Sequence, residues 1–80
     1  MKNSSSNRYN DELISVGNRI GYFRRQAGMT QQQLAEKAGI SPGFLSQVEA
    51  PNLVMGVSLT TLFSIAEALG VPAYKFLVFD

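Results

Sequence analysis

Apolar residues recur every three or four positions between residues 13 and 27, which is the spacing of one face of an α-helix. Asn10 precedes this segment as a candidate N-cap, and Gly28, directly after it, is typical of a helix end. Gly17 and Gly21 each cost about 1 kcal/mol relative to alanine inside a helix, but they allow a second helix to pack closely. The pattern predicts a first helix whose buried face carries Leu13, Val16, Ile20, Phe23 and Ala27.

Two shorter helices are predicted between residues 30 and 49. Thr30 and Gln33 have the spacing of a capping box, and Gly39 ends this second helix. After a three-residue turn, Ser41 is the N-cap of a third helix, and Pro42 occupies its first position, where the missing N–H costs nothing. Two helices joined by a short turn that contains glycine form a helix-turn-helix unit. Their inward positions are Leu34, Ala35, Ala38, Leu45 and Val48.

The last third of the chain predicts a loop and two more helical segments. Residues 50–57 form the loop, Ser58 caps a fourth helix, and Gly70 ends it. A short fifth segment covers residues 73–77. We therefore expect an all-α, compact five-helix domain over residues 11–80, preceded by a flexible polar arm at residues 1–10. The predicted buried face of the fourth helix carries Leu59, Leu62, Phe63, Ala66 and Leu69.

Composition excludes several kinds of site. The 80 residues include no cysteine and no histidine, so no disulfide framework, usual zinc site or histidine general base is available. We expect a single domain that is not an enzyme and that holds no metal or cofactor. No apolar stretch approaches the roughly 20 residues of a membrane span, and the polar N-terminus does not resemble a signal peptide. These features predict a cytoplasmic protein, and its net charge of +1 neither requires nor excludes nucleic acid.

Two charged residues are predicted to lean toward the core. On a helical wheel, Glu49 lies only about 40° from Leu45, while Arg24 lies about 40° from the apolar face of the first helix. A buried carboxylate needs a partner, because an unpaired buried charge is costly. We infer an ion pair between Arg24 and Glu49 that locks the third helix to the scaffold; the alternative is two unrelated surface charges. Gly43, Ser46 and Gln47 face the other way, toward solvent or a partner.

The predicted helix-turn-helix resembles that of the phage lambda-repressor-like (Xre/Cro-type) transcriptional regulators, over the segment GMTQQQLAEKAGISPGFLSQVE from Gly28 to Glu49. A second segment, IAEALGVP from Ile65 to Pro72, is similar to the fourth helix of that family and its exit. The resemblance covers about Val16 to Leu77. It rests on the combined spacing of Gln31, Ala35, Gly39, Ile40, Leu45, Val48 and Glu49.

This resemblance implies that the third helix enters the major groove of double-stranded DNA. Gln47 is the best candidate for direct readout, because its amide can pair with adenine. For Phe44, contact with a thymine methyl group and simple packing are equally open, and Ser46 either binds phosphate or is solvated. Thr30 and Gln31 would hold phosphate at a helix N-terminus, and Arg24 could reach phosphate as well as Glu49. The remaining candidates at the base edges are Ser41, Pro42 and Gly43.

The chain departs from the family in two places. The loop at residues 50–57 carries no charge where the family usually has lysine or arginine, which predicts weak binding to random DNA. The C-terminus is more apolar than a small fifth helix needs, so we expect a homodimer interface at residues 73–80, with residues 53–57 as a possible addition. The alternative is that the tail only closes the core. The predicted interface residues are Tyr74, Phe76, Leu77 and Phe79.

Two functions from different classes follow from these observations. The leading hypothesis is a dimeric repressor that binds a palindromic operator. The alternative is a protein-binding adaptor or antitoxin-like module that uses the apolar loop and tail. A metal-free hydrolase would need a base and a nucleophile that the sequence does not offer.

Overall fold

The computed structural model describes residues 8–79 and contains four α-helices and one short 3-10 helix. The α-helices are α1 (Asn10–Gln26), α2 (Gln31–Ala38), α3 (Pro42–Glu49) and α4 (Leu59–Leu69), and the 3-10 helix covers Ala73–Phe76. No strand occurs among the described residues. The all-α prediction is confirmed, but the fifth predicted helix is only this 3-10 turn. Among residues 8–79, no helix combines the length and the hydropathy that a membrane span requires.

The start of α1 differs from the prediction. Asn10 is the first helical residue, and Tyr9 occupies the N-cap position with φ −116° and ψ 21° and with no capping bond from its side chain. The reason is that the amide of Leu13 already donates to the carbonyl oxygen of Tyr9, at 2.9 Å, so the helical hydrogen bonds begin one residue earlier. The predicted arm falls mostly outside the described residues, because residues 1–7 are not among them.

The caps of α2 and α3 form as predicted. Thr30 accepts from the amide of Gln33 at 3.0 Å, and the Gln33 side chain accepts from the amide of Thr30 at 2.8 Å, which completes the capping box. Gly39 ends α2 with φ +75°, a conformation that favours glycine. Ser41 then accepts from the amide of Phe44 at 3.0 Å. Local sequence therefore determines where α2 ends and where α3 begins.

All four α-helices and the 3-10 helix contribute to one core. α2 packs on α4, α3 packs on α1 and α2, and the 3-10 helix lies against α1 and α4. Phe76 is completely buried and meets Phe23 edge to face, with ring centroids 5.7 Å apart. The buried apolar residues are Val16, Ile20, Leu34, Ala35, Leu45, Val48, Leu62, Ile65, Ala66, Ala68 and Phe76.

Three predicted core positions are wrong. Leu59 and Phe63 are 63% and 56% exposed, and Ala27 is also exposed. α4 is rotated so that Ile65 and Ala68 face its neighbours, which leaves the edge with Leu59 and Phe63 uncovered. Apolar spacing shows which residues share a side of a helix, but it does not show where the covering helices stop.

The predicted dimer surface needs one correction. Phe76 closes the core of its own chain, so it is not available to a partner. Tyr74, Leu77 and Phe79 remain 65%, 44% and 48% exposed. Phe76 therefore behaves as the alternative prediction says, because it closes the core. The other three side chains do not.

Candidate nucleic-acid interface

An ion pair joins the end of α1 to the end of α3. The guanidinium of Arg24 donates from Nε to both carboxylate oxygens of Glu49, at 2.9 and 3.1 Å, and from Nη2 to Oε1 at 3.0 Å. Its Nη1 donates to the carbonyl oxygen of Met29 at 2.8 Å, just before α2. The two charged side chains are only 13% and 6% exposed. The predicted pair of Arg24 and Glu49 is confirmed, and it also fixes the segment that leads into α2.

Gln31 belongs to the same network, which the sequence did not suggest. Its Nε2 donates to Oε1 of Glu49 at 3.0 Å, so one carboxylate is bound from α1 and from the first residue of α2. A side-chain amide has two N–H groups and an accepting oxygen, so Gln31 keeps one donor and its oxygen for another partner. The start of α2 and the end of α3 are thereby held at a fixed distance.

Arg25 brings a second guanidinium close to Glu49. A Cβ atom placed on Gly21 would lie 3.1 Å from Nη1 of Arg25 and 3.2 Å from Oε1 of Glu49, so both groups lie beside the same glycine. Arg25 is exposed, but the end of its side chain folds back over α1. Two guanidinium groups near one carboxylate leave an excess of positive charge beside the start of α2.

The outer face of α3 is open and uncharged. Ser41, Pro42, Gly43, Ser46 and Gln47 are exposed, and a Cβ atom on Gly43 would meet nothing within 4 Å. On the opposite face Leu45 and Val48 are buried.

Phe44 is half-buried and packs against the core, which supports its role as a packing residue. The other candidates on α3, together with its N-cap Ser41, are all accessible.

The uncharged loop is only partly covered by its own domain. Met55 and Val57 pack against the core, whereas Leu53 and Val54 are 44% and 39% exposed. The loop starts directly beyond α3, where the amide of Ala50 donates to the carbonyl oxygen of Gln47 at 3.2 Å. It therefore borders the exposed outer face of α3 without adding charge to it.

Two other cations, Arg19 and Lys37, line grooves that contain no residue of α3. Arg19 lies in a groove of about 440 Å³ with the tail residues Val78 and Phe79, and its Nε is buried without a hydrogen-bond partner among the described residues. Lys37 lines a groove with Ser64 and Glu67 on α4. The end of the Arg25 side chain, in contrast, lies with Glu49 beside Gly21, where α1 meets the end of α3.

Comparison with known proteins gives consistent matches. A helix-turn-helix family model matches residues 20–76. The immunity repressor of Bacillus phage phi105 is 41% identical over 58 residues, which are 72% of this chain and 39% of the repressor. SinR, a transcriptional regulator of Bacillus subtilis, is 34% identical over 62 residues, which are 78% of this chain and 55% of SinR. The chain thus spans about half the length or less of these two relatives.

Solved structures show the same fold. The SinR structure in complex with DNA covers 79% of this chain at 33% identity, with a TM-score of 0.73, and this chain covers 98% of it. The restriction-modification controller protein C.AhdI from Aeromonas hydrophila covers 82% of this chain at 26% identity, with a TM-score of 0.76 and with 97% of the controller matched. The match over residues 20–76, which contain the capped helix-turn-helix and its ion pair, shows that this chain belongs to the lambda-repressor-like helix-turn-helix family.

Proposed function

We propose that this chain is a sequence-specific DNA-binding transcriptional regulator, acting as a dimeric repressor on a palindromic operator. One observation carries the proposal. The C-terminal end of α3 is held in place by the network of Arg24, Gln31 and Glu49, while the outer face of the helix is exposed. A rigid helix with an exposed polar face is what major-groove recognition requires. The naming of relatives as an immunity repressor and a transcriptional regulator supports it. Its place of action would be the cytoplasm, with the DNA.

The side chains divide between base contact and phosphate contact. Gln47 would pair with adenine, with Ser41, Pro42 and Gly43 close to the bases, and Phe44 would contribute mainly by packing. Thr30, Gln31 and Ser46 would contact phosphate, aided by the charge of Arg25. Arg24 would act by positioning α3, because its guanidinium already binds Glu49 and the carbonyl oxygen of Met29.

Gln47→Ala is expected to reduce selectivity for the preferred operator by about 10- to 100-fold, because one bidentate base contact is lost. The measurement is fluorescence anisotropy with an operator selected from a random pool, run against scrambled DNA at two salt concentrations. Gln32→Ala is the matched control, since Gln32 is also an exposed glutamine and lies on α2 away from the predicted base contacts. It should leave selectivity unchanged.

The opposite result would contradict the proposal. If binding is weak and depends neither on the DNA sequence nor on Gln47, the chain has a helix-turn-helix fold but not the sequence-specific activity that we assign to it. Binding to protein would then be the better hypothesis, with the exposed Leu53 and Val54 as the first place to look. As matters stand, the names of the relatives do not favour that adaptor alternative.

The uncharged loop makes a second prediction about DNA. Asn52→Lys, three residues beyond α3, is expected to strengthen binding to random DNA and to steepen the slope of log K against log salt by about 0.9, because one more phosphate is neutralised. Asn52→Gln adds a longer polar side chain without charge and is the control. Equal salt slopes for the two variants would indicate that the loop does not approach the DNA backbone.

A further inference from the structure

Gly43 is a helical glycine that the fold itself does not require. Among the helical glycines of residues 8–79, Gly17 leaves room for the backbone of Val48, and side chains of the same chain fill the space beside Gly21. A Cβ atom on Gly43, in contrast, would meet nothing within 4 Å, and its φ is not positive. Alanine is the better helix former, so glycine at this exposed position of α3 benefits a bound partner rather than the fold.

The first turn of α3 presents carbon atoms and open space to such a partner. Pro42 has an apolar ring and no N–H, and Gly43 has no side chain. The side-chain oxygen of Ser41 accepts from the amide of Phe44 at 3.0 Å, as the cap of the helix. Pro42 and Gly43 therefore offer no side-chain group that could form a hydrogen bond with a base.

One base edge in the major groove suits a surface of this kind. The donors and acceptors of adenine, guanine and cytosine lose free energy when a protein covers them without a hydrogen bond. Thymine also presents a 5-methyl group, which is apolar and has the size of the Cβ atom that Gly43 lacks. A thymine methyl group can therefore enter the space that any other residue at position 43 would fill.

We propose that Gly43 is a specificity-determining residue, and that the space at its missing side chain, bordered by Pro42, receives the 5-methyl group of a thymine. The inference rests on the proposed function, since it names a base that the same surface reads. Gly43 lies four residues before Gln47, so the two contacts are about 6 Å apart along α3. Successive bases of one strand are about 3.4 Å apart, which places the thymine roughly one or two base pairs from the adenine that Gln47 would contact.

Operators in which deoxyuridine replaces thymine test the proposal, because this replacement removes only the methyl group. The probe is the operator selected from a random pool, with each thymine replaced in turn and binding measured by fluorescence anisotropy. One replacement, within roughly two base pairs of the position where Gln47→Ala loses selectivity, should weaken binding about 4-fold, as expected for one buried methyl group. Thymines outside the half-sites are the control and should be replaceable without effect.

Gly43→Ala supplies the reciprocal change in the protein. Its Cβ atom would occupy the space of the methyl group, so the variant should bind the thymine operator about 10-fold more weakly while it remains folded. The deoxyuridine operator should restore part of this affinity, which a merely structural effect would not do. Gly56→Ala is the matched control, because Gly56 is also exposed with open space for a Cβ atom, and it should show the same methyl effect as the unmodified chain.

The results separate this inference from the proposed function. Selective binding that depends on Gln47, but in which no deoxyuridine replacement weakens the complex, would overturn the inference alone. The same holds if Gly43→Ala binds as tightly as the unmodified chain, or if deoxyuridine does not relieve its loss of affinity. A chain without selective DNA binding would overturn both the inference and the proposed function.

Discussion

Glu49→Gln is expected to lower the free energy of unfolding by about 3 kcal/mol, because it leaves the guanidinium of Arg24 largely buried without a charged partner. Roughly 4–12 kcal/mol is the whole stability expected of 80 residues, so the change should be plain in a thermal or urea melt. Gln31 loses its charged acceptor in the same step. The variant should also bind operator DNA more weakly, since this network fixes α3 relative to α2.

Glu36→Gln is the matched control for this experiment. Glu36 is exposed on α2, so the same change of chemistry should alter stability by less than about 0.5 kcal/mol. A cycle with Arg24→Gln measures the pair itself, and the double variant should lose less stability than the two single variants added together. If Glu49→Gln and Glu36→Gln have the same free energy of unfolding, the ion pair does not hold α3 in place. The rigidity that we assign to α3 is then wrong.

Gly17→Ala is expected to destabilise the domain by about 2–3 kcal/mol, because α1 and α3 touch at this residue. A Cβ atom on Gly17 would fall on the carbonyl oxygen of Val48, which is backbone and cannot turn aside as a side chain can. The two helices would have to separate, and α3 would move with respect to α2. The free energy of unfolding from urea melts measures the effect.

Gly43→Ala is the control, since Gly43 is also helical but has open space where its Cβ would be. Alanine is the better helix former, so this variant should be as stable as the unmodified chain or up to about 1 kcal/mol more stable. Gly21→Ala should fall between the two, because its Cβ would meet only the ends of the Arg25 and Glu49 side chains. Equal stability of Gly17→Ala and Gly43→Ala would contradict the close packing of α1 on α3.

Much of the fold and part of the site were predictable from local patterns. The capping box of Thr30 and Gln33, the glycine at position 39 and the cap of Ser41 act within a few residues, so local sequence determines both ends of α2 and the start of α3. The helical wheel was enough to pair Arg24 with Glu49, because both charges lie close to apolar faces and a buried charge requires a partner.

Other features depended on how the helices are arranged in space. The bond from Gln31 to Glu49 and the position of Arg25 beside Gly21 arise from the angles between three helices, which spacing along the chain does not specify. The burial of Phe76 and the exposure of Leu59 and Phe63 depend on where neighbouring helices end. The four α-helices, the caps of α2 and α3 and the charged pair could be predicted from the chain, because they follow from interactions within a helix or from the cost of burying charge. Which apolar residues face solvent could not, because that depends on how much of each helix its neighbours cover.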